Sequence, residues 1–372
     1  MAVSARAIQW VEPTGFRNLE PARTALGAGI TLVHGPNGAG KSSLLEALFV
    51  ALTGRSPRTR RDREVIAFDS DFARVEVELL CDSDQRSFLW SATRSGERRH
   101  LLDGAPLGPS AAEARPPIAV FLPDRLTLVK GPPGARRAHI DRLVAALWPA
   151  RGEARGRYQA ALVQRNALLA RARGAAALPS LDAWDQELAT CAAELVAARA
   201  AAVAELAPAF EVAATELGLQ PPAAVAYRPR CAGASAEAIA EELAERRSSD
   251  LARGFTSHGP HLDEVEVTVA GRAVRRYGSQ GEQRTALLAL LFAERAALLA
   301  ARATAPLMLL DDVMSELDPE RRELLAARLA DGEGQALITA TEASQLPAGA
   351  ERTEIRLRGG AGIGIVERGQ AA

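Results

Sequence analysis

Residues Gly35-Pro36-Asn37-Gly38-Ala39-Gly40-Lys41-Ser42 match the pattern G-x-x-x-x-G-K-[ST]. The chemistry of a polyphosphate accounts for each residue type. Glycines let backbone N–H groups turn inward around phosphate oxygens, and a following helix N-terminus adds a favourable dipole. Lys41 is expected to reach the β and γ phosphates, and the Ser42 hydroxyl to ligate Mg²⁺. The apolar run Ile30 to His34 precedes the motif and Leu44-Leu45-Glu46-Ala47-Leu48 follows it, which supplies the strand and helix the motif requires. A glycine-rich turn that binds nothing has no need of that setting. Far downstream, Leu307-Met308-Leu309-Leu310-Asp311-Asp312 reads as a buried strand ending in two carboxylates. Asp311 is expected to hold Mg²⁺ and Asp312 to direct an attacking water.

A third segment, Tyr277-Gly278-Ser279-Gln280-Gly281-Glu282-Gln283-Arg284, enters a helix that continues Thr285-Ala286-Leu287-Leu288. Gly281 permits close backbone approach, and Ser279 with the helix N-terminus makes a second anion site. Taken alone, the segment is equally a helix cap. It resembles the signature of ATP-binding-cassette ATPases, and Ser315-Glu316-Leu317-Asp318 resembles their D-loop. That resemblance implies ATP held between two head-to-tail copies around one two-fold axis. Two departures stand out. Most transporter-type cassettes carry Glu where this chain has Asp312, and the shorter side chain suggests slow hydrolysis. The switch histidine expected after the last core strand is replaced in Ile338-Thr339-Ala340-Thr341-Glu342 by Thr341, whose hydroxyl could bond a γ-phosphate or water but carries no charge.

The elements that must position these groups follow from periodicity. Short strand patterns cover Ala7 to Val11, Ile30 to His34, Arg74 to Leu80 and Phe88 to Ala92, and return at Glu264 to Val269, Leu307 to Leu310 and Ala336 to Thr341. A helix is predicted from Ser279 to Arg302. Between Ala135 and Ser249 the composition turns to Ala, Leu, Arg and Glu, broken at Pro149, Pro179 and Pro221-Pro222. Trp184, Leu188, Cys191 and Leu195 form one apolar stripe there, and Tyr158, Leu162 and Leu169 form another, interrupted by Arg165. A helical hairpin closed near Pro179 would bring the stripes together. The fold class predicted is α/β: a P-loop ATPase head of cassette type, with a mixed β-sheet and flanking helices, plus an inserted α-helical lobe. The head is expected from residues 1–134 and 255–372 and the lobe from 135–254.

Composition bounds the reading. The 372 residues are 48% hydrophobic and 24% charged, enough for a packed core and a soluble surface. No apolar run approaches the ~18 residues of a membrane span, and Met1 to Trp10 lacks a signal pattern, so a cytoplasmic location without a membrane is expected. Cys81, Cys191 and Cys231 are unpaired in spacing and read as buried thiols. His139, His258 and His261 lack metal-ligand spacing, leaving Mg²⁺ as the one metal expected. A net charge of −1 disfavours indiscriminate polyanion binding without excluding a local basic face.

Gly15-Phe16-Arg17-Asn18-Leu19 ahead of the P-loop, Asn37 within it and the split sheet resemble the SMC-type heads of DNA-repair ATPases. Arg136-Arg137 with Asp141, Gln164-Arg165-Asn166-Ala167-Leu168-Leu169, Gly259-Pro260-His261-Leu262-Asp263 and Ser279 to Thr285 are similar in order and spacing to the RecF family. The resemblance thins in the Ala-rich middle and after Leu346. It implies ATP and Mg²⁺ as cofactors. Arg17, Ser43, Gln280 and Gly281 then join the P-loop residues around the nucleotide. It further implies an ATP-dependent homodimer that binds single- and double-stranded DNA at gaps or junctions and helps RecO and RecR place RecA. From the residues themselves, DNA has the cluster Arg55, Arg58, Arg60, Arg61 and Arg63, with Arg94, Arg98 and Arg99 later. A solvated loop explains them equally well. Few aromatics interleave, so base stacking is not expected. Competing readings are a transporter subunit, a longer-armed SMC-like head, and a nucleotide-binding scaffold. The first predicts an L-S-G-G-Q signature, a Glu after Asp311 and a switch histidine, the second a much longer helical insert, and the third has no use for Lys41, Ser42, Asp311 and Asp312 together.

Overall fold

The computed structural model describes residues 6–81, 84–107, 117–122, 126–171, 178–231, 233, 235–330, 334–347, 352–360 and 363–368. The chain forms two compact units, Met1–Arg125 with Leu298–Ala372, and Leu126–Ala297.

The first unit opens with β1 (Arg6–Thr14), β2 (Thr24–Ala25), β3 (Ile30–His34), α1 (Lys41–Thr53), β4 (Phe72–Cys81), β5 (Asp84–Thr93), β6 (Arg98–Leu102), β7 (Ala105–Pro106) and β8 (Ile118–Phe121). The second holds α2 (Thr127–Lys130), α3 (Pro133–Leu147), α4 (Ala154–Arg171), α5 (Leu178–Glu216), β9 (Ala223–Arg228), α6 (Ala236–Glu245), α7 (Arg247–Arg253), β10 (Glu264–Val269), β11 (Arg272–Ala273), α8 (Val274–Tyr277) and most of α9 (Gln280–Arg302). The chain then completes the first unit with β12 (Leu307–Leu310), α10 (Pro319–Ala330), β13 (Ala336–Ala340), β14 (Arg352–Gly360) and β15 (Ile363–Arg368).

Two sheets build the first unit. The order β15-β14-β3-β13-β12-β8 is parallel from β14 through β8, and both ends of the chain contribute to it, as expected. β12 and β13 are buried at every position, the continuous apolar pattern of a strand covered on both faces. The second sheet, β2-β1-β4-β5-β6-β7, is antiparallel; β4 alternates buried with exposed or half-buried residues because one face meets solvent. Helix α1 joins the two sheets in one apolar core with Leu48, Val77, Trp90 and Leu337. A helix that is apolar nearly all round is stable only when enclosed, and α1 buries Leu44, Leu45, Leu48, Val50 and Leu52. Each such side chain contributes about 1.5–3 kcal/mol. The helix stops at Gly54, whose φ of 74° lets its N–H bond Val50 O.

In the second unit the two predicted stripes meet. Tyr158 and Leu162 of α4 share a core with Leu188, Cys191 and Leu195 of α5, and Trp184 packs against it. The linking residues 172–177 lie outside the described residues. α5 runs 39 residues and continues through Pro208. Arg165, the interruption in the stripe, is fully buried, and it donates to Asp185 (2.6 Å), Asp250 (2.8 Å) and Thr256 (2.8 Å). Arg199 likewise joins Asp141 (2.7 Å) to Asp263 (3.2 Å).

The expected all-helical segment also contains a strand. β9 pairs antiparallel with β10, and the second unit reaches past residues 135–254 to take in β10, β11 and most of α9. Its sequence, AAVAYR, reads as helix because alanine dominates, and only pairing with β10 makes it a strand. Cys191 and Cys231 are buried as expected, whereas Cys81 is partly exposed. Among the described residues no helix is long and apolar enough to cross a membrane.

Candidate active site

The P-loop leaves β3 and enters α1 through two residues that must be glycine. At Gly35, with φ of 151°, an added Cβ would lie 2.1 Å from Leu357 O. At Gly40, with φ of 98°, it would meet Leu19 at 2.8 Å. Gly40 caps α1 without a side chain, so the first N–H groups of the helix face the loop with no intrahelical partner. Asn18 laces the cradle from outside: its amide donates to Gly38 O at 2.8 Å and its Oδ1 accepts from Ser43 Oγ at 2.9 Å. Lys41 is buried, with Nζ donating to Gly35 O at 2.7 Å and Pro36 O at 3.0 Å. Burial pushes its pKa below the ordinary lysine value, while Asp312 and Asp311 pull it back up.

The acids arrive from two strands away. β13 lies between β3 and β12, and the three parallel strands end at the same edge, where ligands of open α/β sheets bind. Ser42 Oγ donates to Asp311 Oδ1 at 2.8 Å, and Thr339 Oγ1 donates to the same oxygen at 2.7 Å. Asp312 adopts φ of 50°, and its N–H bonds Thr339 Oγ1 at 2.8 Å. Its Oδ1 is buried and has no hydrogen-bond partner among the described residues. Asn18, Asn37, Gly38, Gly40, Lys41, Ser42, Ser43, Arg58, Asp311 and Asp312 line one open pocket of about 270 Å³. A lysine and helix N–H groups on one wall and two carboxylates on the other suit a polyphosphate with a hard cation. Among the described residues no three His, Cys, Asp or Glu side chains cluster as a metal cage. A cation here would be held by Ser42 and Asp311 and would need further oxygens from its ligand, the habit of Mg²⁺ rather than of zinc.

Residues 7–360 match the family model described as the RecF/RecN/SMC N terminal domain. The DNA replication and repair protein RecF of Chloroflexus aurantiacus is 38% identical over 371 residues, covering 90% of this chain and 93% of the relative. The chain belongs to the RecF family. RecF of Myxococcus xanthus is also 38% identical, over 342 residues, covering 88% of this chain and 89% of its own. Among solved structures, the recombination mediator protein RecF-ATPrS in the RecFOR pathway superposes with a TM-score of 0.83 at 24% identity, covering 99% of both chains. An Smc head domain from Pyrococcus furiosus, bound to the C-terminal domain of ScpA, gives 0.61 at 17% identity, covering 98% of this chain and 96% of that one. The fold is thus the RecF and SMC head, an ABC-type ATPase architecture.

The structure of this RecF-family chain collects most of the predicted residues and relocates others. Arg17 does not line the pocket; its guanidinium is held by buried Glu46 at 2.8 and 2.9 Å and by Glu64 O at 2.6 Å. Arg58, grouped by sequence with the DNA arginines, does line it, and Nη1 reaches Glu46 at 3.3 Å. Arg60, Arg61 and Arg63 remain on the surface. Thr341 turns aside: its N–H and Oγ1 both bond Gln345 Oε1, at 2.9 and 3.1 Å. The hydroxyl beside the acids belongs to Thr339, two residues earlier. In the second unit Ser279 caps α9 reciprocally, accepting from Glu282 N–H at 3.2 Å while its own N–H bonds Glu282 Oε2 at 2.7 Å. Ser279 and Gln280 are exposed and Gly281 half-buried at that helix tip. The three histidines hold structural partners: His139 faces Glu294, His258 lies 2.7 Å from Glu242, and His261 bonds Tyr158 at 2.6 Å. Sequence reasoning missed Asn18 in the pocket and Thr339 behind its two acids; the S/T-x-x-E pattern at Ser279 was the legible capping signal.

Proposed function

We propose that this chain binds ATP with Mg²⁺ in the P-loop pocket, pairs with a second copy through that nucleotide, and in the paired state binds DNA at gaps or single-strand/double-strand junctions. It acts with RecO and RecR to place RecA, and hydrolysis of ATP resets it. The observation that carries the reading is the convergence of Lys41, Ser42, Asp311 and Asp312 on one pocket, with Ser42 and Asp311 already 2.8 Å apart.

Lys41 exchanges its loop carbonyls for the β and γ oxygens, which offer negative charge rather than dipoles. Mg²⁺, when bound, would supply neutralisation of phosphate charge, and Ser42 and Asp311 would hold it. Asp312, whose Oδ1 is buried without a partner among the described residues, orients water for in-line attack. Arg58 adds a second cation to the phosphate wall. Ser279, at the exposed tip of α9, closes the partner's pocket by donating its hydroxyl to the γ-phosphate, beside the positive end of the helix dipole.

Light scattering after size exclusion tests this, with and without ATP and a gapped duplex. The mass should double with ATP, and Ser279→Arg should stay monomeric while still binding ATP. A wild-type chain that remains monomeric with ATP and gapped DNA would overturn the pairing, and loss of ATP binding in Ser279→Arg would overturn the role given to that helix tip.

A further inference from the structure

We infer that Thr339 is a positioning residue for hydrolysis, its hydroxyl clamping Asp311 and Asp312 into one working arrangement; this rests on the nucleotide reading above. The register of the parallel sheet brings it there. Thr339 pairs with Val33 of β3, and Ile338 pairs with Leu310 of β12, so the next residue on each strand sets Thr339 beside Asp311. The neighbouring Leu337, Ile338 and Ala340 are apolar and buried. A fully buried hydroxyl in such a strand is costly unless hydrogen bonds compensate it. Here both of its capacities are used: it donates to Asp311 Oδ1 at 2.7 Å and accepts the Asp312 N–H at 2.8 Å.

Each bond has a separate consequence. The first joins Ser42 Oγ in fixing the rotation of the Asp311 carboxylate, since two donors converge on one oxygen. The second anchors the turn at Asp312, whose φ of 50° lies in the left-handed region that L-residues adopt reluctantly. With its N–H tied, Asp312 keeps its side chain on the pocket wall. Threonine suits the position because β-branching stiffens χ1, so the hydroxyl is presented with little rotamer entropy left to lose. Thr341, the residue at the expected switch position, is occupied by Gln345 and does not share this work.

Thr339→Val deletes the hydroxyl and keeps the shape; Thr339→Ser keeps the hydroxyl. Three quantities distinguish them in the full-length chain: the melting curve, the affinity for a fluorescent ATP analogue in EDTA, and the hydrolysis rate across a Mg²⁺ titration. For Thr339→Val, kcat should drop about 10- to 100-fold through misplaced groups, and half-saturating Mg²⁺ should rise. The analogue's affinity in EDTA should not change, and Thr339→Ser should recover the wild-type rate and Mg²⁺ dependence. A wild-type kcat in Thr339→Val, a parallel loss of kcat and EDTA affinity, or a serine variant no better than valine would each overturn the inference. If neither Thr339→Val nor Thr339→Ala yields folded protein, the hydroxyl serves the core alone and the inference is likewise overturned. A wild-type chain that fails to bind the analogue overturns the nucleotide reading itself, a distinct result.

Discussion

Lys41 shows how one side chain is held ready at little structural cost. Among the described residues its ammonium bonds loop carbonyls, at 2.7 and 3.0 Å, and the surrounding burial lowers its pKa. Exchange of those carbonyls for phosphate oxygens restores a full negative partner, so binding raises the pKa again and keeps the group charged. Lys41→Ala should therefore cut ATP hydrolysis about 100- to 1,000-fold, the scale seen when one preorganised charge-stabilising donor is removed, while the melting temperature changes little. Steady-state kinetics with a parallel thermal melt checks both halves; a large drop in melting temperature would show that the lysine holds the loop together.

At the scale of elements, buried ion pairs fasten the helices of the second unit. Arg165 of α4 draws on Asp185 of α5 and Asp250 of α7, and Arg199 of α5 draws on Asp141 of α3 and on Asp263. Arg165, Asp141 and Asp263 lie in the segments on which the family resemblance rested, and their chemistry here is structural. Removing one partner leaves buried carboxylates uncompensated, which costs about 3–5 kcal/mol. Arg165→Met, close in length and apolar, should lower unfolding free energy by that amount in urea titration, and a loss below about 1 kcal/mol would mean that Asp185 and Asp250 are satisfied by Arg247 and Ser257 alone. Both of those contacts exist, at 2.6 Å for Arg247 with Asp185 and 2.6 Å for Ser257 with Asp250. The same pattern explains why Arg165 looked like a flaw in an apolar stripe: periodicity registers polarity and is blind to a partner brought by another helix.

For the whole molecule, a net charge of −1 means that any affinity for DNA must come from local clusters. Arg60, Arg61 and Arg63 are exposed, while Arg58 belongs to the pocket. Replacing the three by alanine should weaken DNA binding and reduce the slope of log affinity against log salt by about 0.9 for each lost phosphate contact, leaving ATP hydrolysis without DNA unchanged. Fluorescence anisotropy over a salt series measures it, and an unaltered slope would remove this loop from the DNA surface. The proposed pairing through ATP belongs to the same scale, because one unit supplies the P-loop and acids and the other carries the capped tip of α9.

Local chemistry made much of the site legible. The P-loop, the acidic pair and the serine cap are contiguous in the chain, because a phosphate cradle and a helix cap are each built from neighbouring residues. Several strand limits were equally plain, since full burial or strict alternation leaves a local pattern at β3, β10 and β12. Tertiary structure alone decided the rest. Asn18 and Arg58 reached the pocket, and Thr339 the acids on its wall, through pairing and packing between segments, Arg17 and Thr341 were claimed by Glu46 and Gln345, and β9 became a strand by finding β10. The physical reason is common to all of them: a hydrogen bond or an ion pair is worth forming only where its partner lies, and that partner can be hundreds of residues away on the chain, as Asp311 is from Ser42.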